Sequence, residues 1–369
     1  MSTIKANAIL DASGGNTVTI NSVTPTAYNT MGKNLVINGA MQIAQRGTQS
    51  TGITTTGFRT VDHFRTSLSS LGTWTEDQST DAPSGFSNSF KLTCTTADAS
   101  PAAGDVAYIR YMFEGLELQN LAYGTSSAKP MTLSFWVKSN KTGSASVQLL
   151  QNDNSSKNIS PSYTISSADT WEYKTISIPA DTAGNIDNDN GPAVSLIWWL
   201  NSGSTYSSGS TQTSWSTYSA ADSNPANLGV GGATSDYFAI TGVQLEVGSV
   251  ATEFERRPYG TELALCQRYY EKVTTDGGGV VAIGHAVTST VAVSCIQWST
   301  VKRASPTVST SGGTYARDAG GNSIAGSLNT EHSNPGLWQF NITVPSGLSA
   351  GNASQLRLTL GYYAASAEL

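Results

Sequence analysis

The stretch from Tyr237 to Tyr259 sets the tightest limit on what this chain can fold into. Phe238 and Ile240 share one strand face while Val243, Leu245 and Val247 share the other, so the period-2 pattern slips by one residue at Thr241-Gly242. A glycine at such a slip predicts a β-bulge. From Gly248 to Pro258 the alternation ends and charged residues appear, which predicts chain leaving a sheet. A large β domain is expected to close here.

The same period recurs upstream. Met131, Leu133, Phe135 and Val137 alternate with Thr132, Ser134, Trp136 and Lys138, and Val194, Leu196, Trp198 and Leu200 alternate with Ser195, Ile197 and Trp199. Val147 with Leu149, and Ile176 with Ile178, add shorter cases. Strands separated by Gly, Ser, Asn and Asp clusters, without intervening amphipathic helices, predict an all-β chain with an antiparallel jelly-roll sandwich over 34–258. Asn201–Asn227 reads as an elaborate polar loop. Residues 1–33 hold too few apolar side chains for a core and read as an arm that orders on a partner.

Thr261–Lys272 predicts a helix, part of a connector over 259–272, with Leu263, Cys266 and Tyr270 on one face. A helix of about a dozen residues is marginal alone, so this face is expected to pack between subunits, with packing inside its own chain as the alternative. Residues 273–369 then return to strands. Val291, Val293 and Cys295, next Trp338, Phe340, Ile342 and Val344, and finally Leu356, Leu358, Leu360 and Tyr362 alternate with other residues, enough for a second, smaller β-sandwich. Its Gly277-Gly278-Gly279, Gly312-Gly313 and Gly320-Gly321 segments read as loops, with Tyr315, Arg317 and His332 as candidate contacts to a ligand.

Charged residues make up 12% of the 369, half or less of what soluble domains usually carry. A net charge of −6 argues against a nucleic-acid partner, because neutralising phosphates needs clustered Lys and Arg. The two dense basic spots, Arg256-Arg257 and Lys302-Arg303, read as solvated surface. Cys94, Cys266 and Cys295 lie far apart with no Cys-x-x-Cys, a pattern without a zinc site or redox pair that fits synthesis in a reducing cytoplasm. No run approaches the ~20 apolar residues needed to cross a bilayer, and Met1-Ser-Thr-Ile-Lys lacks the apolar core of a signal peptide, so membrane insertion is not expected.

Catalytic patterns are sparse. His63, His285 and His332 are isolated, and neither a Gly-x-Ser-x-Gly elbow nor a His-Glu-x-x-His helix occurs. Glu114 with Glu117, or Asp187 with Asp189, would be the carboxylate pairs of a glycan hydrolase, but pairs this close in sequence read as loop or edge residues. The oxygen-rich run Asp181–Asn190 lacks the ligand order of a calcium loop and reads as a turn-rich connection. No metal or cofactor is expected. Aromatics are the better signal: strand alternation puts Trp136 and Trp199 on outward sheet faces beside Thr132, Ser134 and Ser195. Tryptophan ringed by small hydroxyls complements the C–H face of a sugar. Tyr206, Trp215 and Tyr218, in the polar loop, are candidates for the same role.

Six segments carry a resemblance. They are Asn34-Leu-Val-Ile-Asn-Gly-Ala-Met-Gln-Ile-Ala-Gln-Arg-Gly, Leu133-Ser-Phe-Trp-Val-Lys-Ser, Asp169-Thr-Trp-Glu-Tyr-Lys, Gly242-Val-Gln-Leu-Glu-Val-Gly, Phe254-Glu-Arg-Arg-Pro-Tyr-Gly and Glu262-Leu-Ala-Leu-Cys-Gln-Arg-Tyr-Tyr-Glu. In this order the chain resembles phage tail fibre and receptor-binding proteins over 34–272, and its central domain is similar to the jelly rolls of carbohydrate-binding modules. Arg303-Ala-Ser-Pro-Thr-Val is similar to fibre tips and Gly14-Gly15-Asn16 to virion-attachment segments. The resemblance implies a non-enzymatic homotrimer in the virion tail, joined to a tail or baseplate protein through 1–33, with 259–272 as neck and 273–369 as distal tip. It also implies attachment to a host surface polysaccharide or lipopolysaccharide, first of all through the tip. A fibre that cleaves polysaccharide and a purely structural spacer are the alternatives.

Overall fold

The structure, a computed structural model, describes residues 32–153, 156–275, 279–317 and 321–369. The arm expected over 1–33, all but its last two residues, lies outside these, as do Gly277-Gly278, Gly320 and the side chains of Leu356, Leu358 and Leu360. The chain forms two compact units, one of residues up to Gln42 with Thr48–Arg257, the other of Ile43–Gly47 with Pro258–Leu369.

In the first unit the strands are β1 (Gln49–Ile53), β2 (Arg65–Ser69), β3 (Thr73–Ser79), β4 (Ser89–Thr96), β5 (Val106–Glu114), β6 (Met131–Ser139), β7 (Gly143–Gln151), β8 (Lys157–Ile159), β9 (Ser162–Ile165), β10 (Glu172–Ile178), β11 (Pro192–Ser202), β12 (Ser216–Thr217) and β13 (Tyr237–Val247). They build two antiparallel sheets, ordered β1-β3-β4-β13-β6-β10 and β12-β8-β7-β11-β5-β2, with β9 paired to β7. The path crosses repeatedly between the sheets, as in a jelly roll. Leu133, Phe135 and Val137 from one sheet and Leu196, Trp198 and Leu200 from the other are all fully buried. Phe135 meets Trp198 edge to face at 5.8 Å, and such large side chains stabilise by roughly 1.5–3 kcal/mol each when buried.

The slip in β13 is a bulge. Its register against β6 shifts between Thr241 and Gln244, and Gly242 sits at φ +59°. The extra residue re-phases the strand, so Phe238, Ile240, Val243 and Leu245 all reach the same core, each 0% exposed. A buried carboxylate also serves this core: Glu76 accepts bonds from the Thr60 N–H (2.8 Å), Thr60 Oγ1 (2.7 Å) and Thr66 Oγ1 (2.5 Å). Burial pushes the Glu76 carboxyl above its ordinary range, against those three bonds.

The second unit begins with a helix, Tyr259–Gln267, and continues through β14 (Tyr270–Thr275), β15 (Gly279–Ala286), β16 (Val291–Gln297), β17 (Thr307–Arg317), β18 (Ser323–Ala325), β19 (Ser327–Ser333), β20 (Leu337–Thr343) and β21 (Ala353–Ser366). The sheet runs β18-β17-β21-β15-β16-β20-β19, with β14 beside the far half of β21. β17 also lies close to β19 and β20, which it does not pair with, so the sheet folds back over its own core. Trp298 and Trp338 stack there with parallel rings 6.2 Å apart, among Ala282, Ala286, Ala292 and Ala316. Small residues make the room that the indoles fill. On β16 the core face is therefore Ala292 and Ile296, while Val291 and Val293 are half-buried and Cys295 is exposed.

Three expectations change in this unit. The helix stops at Gln267 because Tyr270 and Glu271 pair with Ser366 and Ala365 as the start of β14. Gly312-Gly313 is no loop but a bulge inside β17, with Gly312 at φ +86°. Lys302 is not solvated surface: its ammonium is buried 2.5 Å from the Glu271 carboxylate and donates to the Gln267 carbonyl at 2.6 Å. Burial pulls the Lys302 pKa below its ordinary value, with Glu271 working against that shift.

Candidate functional site

The outer face of the six-stranded sheet carries an aromatic groove. On β10, Ile176 and Ile178 face the core, which turns Tyr173 and Thr175 outward. Tyr173 lies opposite Trp136 and Thr175 opposite Ser134, so two rings and two hydroxyls form one floor. The Trp136 and Tyr173 rings are 5.4 Å apart, and Tyr173 is 45% exposed. Two loops that pack against each other complete the lining, one with Ser84 and Phe86 and the other the strap Ala251–Arg256 that follows β13. The groove encloses about 790 Å³, within the range of small-molecule sites.

Buried polar groups fix the strap. The Glu246 carboxylate accepts from the Thr252 N–H at 2.8 Å and Thr252 Oγ1 at 2.7 Å, and Gln244 Oε1 accepts from the Glu255 N–H at 2.8 Å. Phe254 then meets Phe86 edge to face at 5.1 Å. The Arg256 guanidinium lies 4.8 Å from the Phe86 centroid and donates to the Gly85 carbonyl, so it lines the groove while staying exposed, as expected of a surface arginine. Arg257 instead reaches inward, donating to the Asn34 and Val36 carbonyls.

Asn34 closes the frame from the other end of the unit. Its side chain donates to the Val243 carbonyl and accepts from the Leu245 and Val36 N–H groups, while Glu255 accepts the Asn34 N–H at 2.8 Å. Gly39 completes the contact: a Cβ there would stand 2.1 Å from the Val243 carbonyl oxygen, so only glycine lets the two backbones meet. Residues near 34, 244 and 255, distant in sequence, thus form one structural knot behind the groove.

Of the body candidates, Trp136 lines the groove. Trp199 does not stay outward: it is 3% exposed, covered by Tyr108 at 4.7 Å and Tyr206 at 5.6 Å, with its indole N–H donated to Gln148 Oε1. Tyr206 is half-buried as its cover. Trp215 donates to the Pro179 carbonyl at 2.8 Å and packs edge-on to Tyr123. Tyr218 is exposed in the same polar stretch, outside the groove. Glu114 and Glu117 are tied to each other in the capping box of a short helix, Gly115–Leu118. Asp181 accepts the Lys157 ammonium at 2.7 Å.

In the second unit Tyr315 and Arg317 sit within β17, not on a loop, and Arg317 donates to the Gly321 carbonyl at 2.9 Å. His332 is exposed on β19, and no hydrogen bond or ring contact among the described residues joins it to the other two. The presumed neck face does not exist as one stripe: Cys266 is buried within the helix, Tyr270 belongs to β14 under the Arg46 guanidinium at 3.4 Å, and Leu263 is half-buried. Sequence reasoning missed Tyr173, Phe86, Phe254 and Arg256. Alternation with Ile176 and Ile178 could have turned Tyr173 outward, whereas the loop aromatics carry no periodic signal.

No family model matches the sequence, and no curated protein matches it. Among solved structures, the enzymatically active domain of tailspike protein 4 from bacteriophage CBA120 overlaps 58% of this chain at TM-score 0.31 and 15% identity. This chain spans only 21% of that domain. A family 11 carbohydrate-binding module from Clostridium thermocellum, in complex with a mixed-linked β-1,3-1,4 tetrasaccharide, overlaps 56% of this chain and 99% of its own length at TM-score 0.28 and 14% identity. A further module, in complex with β-1,4-galactotriose, overlaps 58% and 99% at TM-score 0.29 and 9% identity. These are partial overlaps and assign neither a relationship nor a ligand.

Proposed function

We propose that this chain is a non-enzymatic, glycan-binding tail fibre protein of a phage, which attaches to a host surface polysaccharide as a homotrimer. The observation that carries glycan binding is the groove floor, where Trp136 and Tyr173 lie side by side and the hydroxyls of Ser134 and Thr175 flank them. Stacked sugar rings meet the aromatic faces while their hydroxyls find short polar partners. The fibre role rests on the six ordered segments over 34–272, and the buried knot that joins three of them explains why their residues occur together. Absence of catalysis is the reading that fits carboxylates committed to a helix cap. Weak single sites on three copies gain by avidity at a repeating polymer.

The test is a titration of the full chain with neutral hexose oligosaccharides, read by tryptophan fluorescence. Trp136→Ala and Tyr173→Ala should each weaken binding about tenfold, the upper end of an aromatic contact. Binding that neither variant weakens, or no binding across the panel, overturns the groove. Light scattering tests the assembly, since a monomer mass for the intact chain overturns the trimer.

A further inference from the structure

The outer face of the seven-stranded sheet holds a second cluster with different chemistry. Arg65 on edge strand β2 lies directly opposite Arg110 on β5, and Ser67 lies opposite Tyr108 one step along the same face. Like charges in direct cross-strand register repel, and this chain is poor in charge, so the pairing calls for a counter-ion. None is present among the described residues. The Arg65 side chain makes no hydrogen bond or ion pair there, and its guanidinium carbon lies 5.9 Å from the Phe58 ring. Arg110 donates Nε and Nη2 to Ser195 Oγ, at 3.0 and 2.6 Å, and meets no carboxylate.

Two further atoms mark this cluster out. Arg65 is half-buried, yet its Nε is closed off from solvent with no partner among the described residues, and so is the Oγ of Ser67, a residue only 2% exposed. Buried donors without acceptors are costly and mark a missing group. Beside them stands the half-buried Tyr108 ring, held against Trp199.

We propose that Arg65, Ser67 and Arg110 form a binding site for the carboxylate of an acidic polysaccharide, with Tyr108 as the ring beside it. The Arg65 fork, whose Nε has no partner, matches a planar carboxylate, Arg110 adds charge beside it while held by Ser195, and the Ser67 hydroxyl supplies one more donor. The site is independent of the neutral-sugar groove, being on the other sheet. It would give a fibre two grips on one uronic-acid-containing polymer.

The probe is an oligogalacturonate, compared with the matching neutral oligogalactose and with a phosphorylated polysaccharide, using the intact chain at low and high salt. The uronate should bind at least tenfold more tightly than its neutral counterpart, with the gap shrinking as salt rises. Arg65→Gln and Arg110→Gln should close most of that gap and leave neutral-sugar binding unchanged. Ser67→Ala removes a buried hydroxyl that has no partner, so it spares the fold and should weaken the uronate severalfold. Arg65→Lys, keeping the charge but not the fork, should fall between wild type and Arg65→Gln. Equal binding of uronate and neutral sugar, an unchanged gap in the Gln and Ala variants, or stronger binding of the phosphorylated polymer each overturns the carboxylate assignment.

Discussion

The two sheets of the first unit use the same device with opposite results. Each has an inner strand whose core face carries a run of large apolar residues and whose outer face presents a tryptophan, Trp136 on β6 and Trp199 on β11. Trp136 remains half-exposed and lines the groove together with Tyr173, Phe86 and the strap. Trp199 is closed, because Tyr206 folds back from the polar stretch and Tyr108 fills the other side. Periodicity assigns a side chain to a face; only long-range contacts decide whether that face is covered. The charges differ in the same sense, since Lys138 on the open face meets Asp81 while Arg65 and Arg110 on the other meet no acid.

The largest test of this contrast is Trp199→Ala. Truncating a buried indole typically costs about 3–5 kcal/mol, whereas Trp136→Ala should cost well under half of that while weakening the groove. Chemical unfolding of both variants, with sugar titration alongside, separates the roles. A Trp199→Ala protein that unfolds like wild type but no longer binds sugar breaks the comparison.

Next in size is Gly242→Ala at the bulge. Its φ of +59° is left-handed, which costs a side-chain-bearing residue roughly 1–2 kcal/mol. The added Cβ would also stand 2.7 Å from Phe86 Cζ and 3.0 Å from Trp136 Cδ1, pressing directly on the groove. Stability and sugar affinity should fall together. Gly242→Asn sharpens the point, because asparagine tolerates this backbone but brings the same Cβ, so binding should still weaken while stability partly recovers.

Much of this was legible in the sequence. The bulge at Gly242 followed from a one-residue slip, and the core faces of β6 and β11 followed from alternation, because both are local properties of a strand. Trp136 was legible for the same reason. The fate of Trp199 was not, since its covers come from Tyr108 and Tyr206 in other elements. Lys302 was misread as surface because nothing local announces that Glu271 will bury it, whereas Arg256 is exposed as expected. The expected neck face failed where competition decides: Tyr270 fits a helix by spacing, but a β21 edge was available and an aromatic residue suits a strand at least as well.

The smallest effect concerns the paired charge on the open face. Asp81 accepts the Lys138 ammonium at 2.8 Å and the Trp171 indole N–H at 3.0 Å, holding the far end of the strand that carries Trp136. Burial pushes the Asp81 carboxyl up, but the bonds from Lys138 and Trp171 outweigh it and hold the group below its ordinary 3.8. A carboxyl with a depressed folded pKa stabilises fully above its unfolded value and loses that contribution as pH falls through the folded one. Asp81→Asn should therefore be less stable than wild type at pH 7, by no more than about 0.5 kcal/mol because the Asp81 side chain is 43% exposed and its pair is screened by solvent. The two proteins should converge below the folded Asp81 pKa, and the gap at pH 7 should narrow in high salt. Thermal unfolding across pH reads this directly. A gap that stays constant from neutral to strongly acidic pH means Asp81 acts through shape rather than charge, and then the open face is no better neutralised than the arginine pair behind it.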